Sequence, residues 1–136
     1  MSLTAPKYVY RARVERPEDI YDGDTITVVI DLGFYIHFGE LTLRLHGINA
    51  PELRGAEKEA GRRARDWLRE RLAGREFIVQ TIRDRKGKYG RYLAIIWLDG
   101  VNINEEMVRL GLAERKDYER RKRRRKSGAG SPKSSG

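Results

Sequence analysis

Asp22-Gly23-Asp24-Thr25 sets two carboxylates around a glycine turn. The later run Leu43-Arg44-Leu45-His46-Gly47-Ile48-Asn49-Ala50-Pro51-Glu52 puts an arginine on an alternating stretch. It ends in an amide and a carboxylate that flank a proline. Lys88-Tyr89-Gly90-Arg91 adds a second arginine beside a turn. Carboxylates for a hard cation, another carboxylate to act as a base and two guanidinium groups are the parts needed to cut a phosphodiester.

Each element taken alone has a plainer account. Asp-Gly is a common turn. Arg44 alone reads as a solvated strand arginine paired with Glu40 or Asp24, although its planar fork suits two phosphate oxygens better than a lysine would. Glu52 after Pro51 reads as an acid near the start of a helix. Two aspartates are too few for a hard divalent cation, which takes six or more oxygens. Asn49 and Glu52, arriving from a distant strand end, can extend the set. His37 and His46 read as structural or surface residues. The functional reading therefore rests on the joint pattern.

The elements that position these residues follow from periodicity. Tyr8–Val14, Thr25–Asp31, Leu41–Ile48, Glu76–Ile82 and Tyr92–Leu98 read as strands. On the third of these, Leu41, Leu43 and Leu45 share one face and Thr42, Arg44 and His46 the other. Phe34–Phe38, between Gly33 and Gly39, reads as a further strand or hairpin arm. Ala60, Ala64, Trp67, Leu68 and Leu72 form an apolar helical stripe ending at Gly74, and Ile103, Met107 and Leu110 predict a shorter helix. The expected class is mainly β with α (α+β): a five-stranded OB-fold-like barrel with two helices.

Composition bounds the class further. The 136 residues suit one domain, with 39% hydrophobic and 36% charged residues and no cysteine. Disulfides and thiolate metal sites are excluded. No apolar run approaches the roughly 20 residues of a membrane span, and the N-terminus of the given chain lacks an apolar leader core. The expected setting is cytoplasmic, without a membrane partner, and the expected state a monomer. The net charge of +9 is uneven. Residues 114–136 carry 10 of the 29 basic and 3 of the 20 acidic side chains, leaving 19 and 17 for the first 113. The expected organisation is a domain over 1–113 and a basic, disordered tail over 114–136 that attracts polyanions.

In the order and near-spacing of its motifs, the sequence resembles the staphylococcal (micrococcal) nuclease family, the thermonucleases. The matching stretches are Asp22–Thr25, Leu43–Glu52, Lys88–Gly100 and Val101–Ala113, within a resemblance running from about Val14 to Ala113. The resemblance implies a five-stranded barrel with a calcium-dependent phosphodiesterase site that acts on single-stranded or open DNA and RNA and leaves 3′-phosphates. It implies calcium binding by Asp24, Asn49 and the backbone carbonyl of Ala50, with Asp22 in support. Glu52 matches the residue that activates water, and Arg44 and Arg91 match the phosphate-holding arginines. Lys88 and Tyr89 match contacts to an adjoining phosphate.

Two departures stand out. Asn49 occupies the position of a calcium-binding aspartate, so one ligand charge is gone and weaker calcium binding is expected. The family's base-stacking tyrosine aligns with Asp117, and the neighbouring Tyr118 is the substitute. The third helix has no counterpart, and the basic run with Arg121, Arg123 and Arg124 reads as a nonspecific nucleic-acid anchor. The alternative functions are a catalytically silent nucleic-acid-binding barrel and a protein-interaction module of the same fold.

Overall fold

Alternating and β-branched stretches become strands, and two amphipathic stretches become helices. The computed structural model describes residues 8–83 and 92–116. Its strands are β1 (Val9–Arg13), β2 (Ile20–Asp22), β3 (Thr25–Asp31), β4 (His37–Leu45) and β5 (Ile48–Asn49), followed by helix α1 (Lys58–Leu72). After these come β6 (Glu76–Arg83), β7 (Tyr92–Leu98), β8 (Val101–Asn102), helix α2 (Ile103–Arg109) and β9 (Glu114–Arg115). Among the described residues, five strands close into a barrel. β1 pairs antiparallel with β3 and β6, β3 with β4, and β6 with β7; a parallel β4–β7 pairing completes the ring. This is the expected OB-like barrel with two helices.

Period-two alternation fills the barrel. Ile26, Val28 and Ile30 of β3, Leu43 and Leu45 of β4, Val79 of β6, and Ala94 and Ile96 of β7 are buried. The stripe of α1 covers the barrel's lower end with Ala64, Leu68 and Leu72, each fully buried. Burial of each leucine contributes about 1.5–3 kcal/mol of transfer free energy. Trp67 packs at the edge of the stripe, with the Arg71 guanidinium 4.9 Å above its ring. Gly61, rather than Ala60, completes the buried line.

The aromatic piece departs from expectation. Leu32–Ile36 is a turn, and β4 begins only at His37. Gly33, Phe34 and Tyr35 have φ of 83°, 56° and 61°. The Asp31 carboxylate accepts the Gly33 N–H at 2.8 Å, and the Ile36 N–H donates to the Gly33 carbonyl at 2.9 Å. These local bonds outweigh the β preference of the aromatic residues. The strand expected over Leu41–Ile48 ends at Leu45, because Gly47 turns the chain with φ 83° before β5.

Asn104, buried at the start of α2, ties the site-bearing end together. Its side-chain oxygen accepts the Ile96 N–H at 3.1 Å, and its amide donates to the carbonyls of His46 and Ala94, both at 2.9 Å. One side chain thus locks α2 to β7 and to the turn that launches β5. Glu114 and Arg115, grouped with the tail by charge, pair with Asn49 and Ile48. Arg115 also donates two bonds to the Glu105 carboxylate, at 2.8 and 2.9 Å, which hold that carboxyl below its usual range. Among the described residues, no helix is long and apolar enough to cross a membrane.

Candidate active site

The β2–β3 turn, the end of β4, and β5 with the segment after it converge on one cleft of about 410 Å³. Asp24, Arg44, Asn49, Glu52, Glu57 and Glu114 are among the residues that line it. The register of β3 on β4 sets Thr25 opposite Arg44, so the aspartate before the strand and the arginine on its partner meet. The bend at Gly47 then returns the chain to the same end. The Ala50 N–H donates to Asp24 Oδ2 at 2.9 Å, a bond spanning 26 residues.

Asp24 is buried and fully engaged. Besides the Ala50 bond, its Oδ1 accepts the Thr25 hydroxyl at 3.2 Å, and its own N–H donates to Asp22 Oδ1 at 3.0 Å. Arg44 Nη2 lies 3.6 Å from Asp24 Oδ2 and donates to Asn49 Oδ1 at 2.6 Å. The guanidinium thus spans a carboxylate and an amide at the cleft wall. The plain account of Arg44, a pairing with Asp24, is realised here together with the functional one.

Glu52 is exposed, with Arg54 Nε 3.7 Å from its Oε1. It does not start the helix, since α1 begins six residues later. Its main chain is fixed from two sides. Its N–H donates to Glu57 Oε1 at 2.9 Å, and its carbonyl lies against Gly61, where a Cβ would stand 2.3 Å from Glu52 O and 3.0 Å from Pro51 O. Gly23 has the same role opposite. A Cβ there would lie 2.6 Å from that of Ala50 and 2.9 Å from that of Ala64. Sequence reasoning passed over Glu57 and Gly61. The available signal was a glycine inside a helical pattern, where it costs stability unless another backbone must come close.

Gly61→Ala should therefore act on the Pro51–Glu52 segment as well as on α1. The clash is with backbone, which no rotamer relieves, so that segment has to move off α1. Overpacking of this kind costs about 1–3 kcal/mol. Thermal melts should show the loss; a melting temperature equal to the parent's would show that the segment moves aside at no cost.

The donor set suits a hard cation in kind: two adjacent carboxylates, an amide oxygen and a backbone carbonyl. Burial, first, pushes the Asp22 carboxyl above its ordinary value; the Asp24 N–H pulls against this, and the Asp24 carboxylate adds to the rise. A bound cation would relieve that like-charge proximity. The set is thin, however. Among the described residues, no three His, Cys, Asp or Glu side chains group to hold a metal.

The raised Asp22 carboxyl has a thermodynamic consequence. The folded protein holds this proton more tightly than the unfolded chain. Its contribution to stability is full below the ordinary carboxylate value and is lost as pH rises through the raised one. Asp22→Asn keeps the oxygen that accepts the Asp24 N–H and removes the charge. At pH 7 it should melt higher than the parent, and it should lose this part of the pH dependence. Melting curves at several pH values test both.

Burial, with Lys116 nearby, pushes the His46 imidazole down, in keeping with a structural role. His37 is exposed at the far end of β4. Arg91, Lys88, Tyr89, Tyr118, Arg121, Arg123 and Arg124 lie outside the described residues.

A closed five-stranded barrel with an arginine–carboxylate cleft where β4 ends defines an OB-type domain. The family model described as staphylococcal nuclease homologue matches residues 42–129. A thermonuclease of Staphylococcus hyicus is 30% identical over 102 residues, covering 73% of this chain and 57% of the relative. An uncharacterized endonuclease of Escherichia coli O157:H7 is 33% identical over 95 residues, covering 69% and 55%. The chain belongs to the staphylococcal nuclease family. It spans little more than half the length of these relatives.

Proposed function

We propose that this protein is a calcium-dependent endonuclease that hydrolyses DNA and RNA phosphodiesters with little sequence preference and leaves 3′-phosphates. The observation that carries the reading is Arg44, held between Asp24 and Asn49 in the cleft that Glu52 borders. Family membership supports the reaction class.

In this mechanism, Glu52 takes the proton of the attacking water as it adds in line to phosphorus, the P–O5′ bond breaks, and the departing 5′-oxygen takes a proton from solvent. Arg44, with Arg91, receives the charge that develops on the equatorial oxygens. Asp24 keeps Arg44 and Ala50 in place, and Gly61 and Glu57 hold the main chain of Glu52. Asp24, Asn49 and the Ala50 carbonyl, with Asp22 in support, would hold calcium, which when bound would supply a Lewis acid that neutralises phosphate charge. Lys88 and Tyr89 contact the adjoining phosphate, Tyr118 stacks on a base, and Arg121, Arg123 and Arg124 add sequence-independent affinity.

Degradation of single-stranded DNA by the purified chain, with calcium and with chelator, tests the proposal. Cleavage is expected only with calcium, and the new ends should resist extension by a polymerase until a phosphatase removes the 3′-phosphate. The second reading, a silent nucleic-acid-binding barrel, is favoured by Asn49, whose oxygen is already taken by Arg44. Binding without cleavage in calcium, magnesium and manganese would establish it instead.

A further inference from the structure

The tip of the β3–β4 hairpin presents aromatic residues that the barrel does not use. Phe34 is 91% and Tyr35 100% exposed, and Ile36 and Phe38 are each more than half exposed. Burial of such side chains is strongly favourable, so adjacent aromatic residues held in water mark a binding surface. Phe34 and Tyr35 also have left-handed backbones, a conformation costly for residues with a Cβ. The Asp31–Gly33 and Gly33–Ile36 bonds fix that turn, so the rings are projected by a built loop.

The β3–β4 hairpin runs from the tip to the candidate cleft, which Arg44 lines. On β4, Arg44 and Thr42 share the outer face of the barrel, opposite Thr25 and Thr27 of β3. The hydroxyls of Thr27 and Thr42 lie 2.8 Å apart, and the Thr27 hydroxyl donates to the oxygen of the half-exposed Tyr21 at 3.1 Å. Gly39 lies flat against Val29, where a Cβ would stand 3.1 Å from a Val29 methyl. The track from Arg44 through these hydroxyls to His37 covers seven residue-to-residue steps of strand, roughly 20–25 Å at the usual rise. That length fits within the roughly 4–16 nucleotides that an OB barrel covers.

We propose that Phe34 and Tyr35 form a stacking platform for bases of a single-stranded DNA or RNA whose backbone follows the β3–β4 face from the cleft. The proposal rests on the nuclease reading for the position of the scissile phosphate. Hydroxyl groups with one guanidinium suit sugar and phosphate. Aromatic faces complete the pairing, because every base has a π-face and stacking is sequence-tolerant.

The experiment compares the full chain with Phe34→Ser/Tyr35→Ser on a trinucleotide and on a 16-nucleotide single strand. Both positions are solvent-exposed, so the variant should melt with the parent. On the longer strand KM should rise at least tenfold with kcat unchanged, and on the trinucleotide neither should change. Phe34→Tyr/Tyr35→Phe should restore the parent KM. An unchanged KM on the long strand, or an equal rise on both substrates, overturns the platform. So does loss in the variant of self-association, or of binding to vesicles of anionic phospholipid, without loss of affinity for the 16-mer. If the parent cuts neither substrate, the nuclease reading fails separately. Fluorescence anisotropy of the labelled 16-mer then decides the platform: a tenfold weaker Kd in the variant keeps it, and equal Kd values remove it.

Discussion

Glu52→Gln should lower kcat by about 10²–10⁴-fold with little change in KM. The substitution keeps the shape of the side chain and its capacity to accept a hydrogen bond from water, and removes only the ability to take the proton. The surroundings make this a clean test. The side chain is exposed at the cleft and makes one loose ion pair, with Arg54 at 3.7 Å, so little stability depends on it. The main chain is held by Glu57 and the close approach of Gly61, neither of which the substitution touches. Glu57 is the informative control. It lines the same cleft, but its carboxylate is occupied by the Glu52 N–H. Glu57→Gln can still accept that N–H and should cost less than tenfold. A loss below tenfold in Glu52→Gln would remove that residue from the base role and make Glu57 the next residue to examine.

Much of this cleft was legible before the fold was known, for a definable reason. Thr25–Asp31 and Leu41–Leu45 alternate clearly, so Arg44 falls on the face opposite Leu43 and Leu45 in any barrel those strands build. The bond from Ala50 to Asp24 was not legible from periodicity. It depends on the bend at Gly47, on Asn104 bridging His46 and Ala94, and on β9 pairing with β5, all long-range contacts. Ordered motifs resembling a known family supplied that pairing. The hairpin tip was misread because strand propensity says little where an aspartate side chain and three left-handed residues close a turn. Glu57 was invisible for a related reason: its role is toward the backbone of another segment, which leaves no periodic trace, whereas Gly61 showed only as a glycine inside a helical pattern.

Arg44→Lys should cost about 10²–10³-fold in kcat, equivalent to about 2.7–4 kcal/mol of transition-state stabilisation. Charge is retained, so the loss would come from geometry. One guanidinium nitrogen, Nη2, lies within reach of both Asn49 Oδ1 and Asp24 Oδ2, which leaves the rest of the planar fork for the substrate. An ammonium on a flexible stem cannot hold both wall contacts and still present two parallel donors to a phosphate. Arg44→Ala is a poorer probe, since it would strand the buried Asp24 carboxylate beside Asp22 and confound activity with stability. Asn49→Asp separates the two demands on this wall. It restores a full charge opposite Arg44, so the calcium concentration for half-maximal activity should fall, and calcium should raise the melting temperature more than in the parent. Combined with Arg44→Lys, it should improve calcium binding without recovering kcat. Full recovery of kcat in the double variant would show that Arg44 acts mainly as a surrogate for metal charge, rather than as a donor to the transition state.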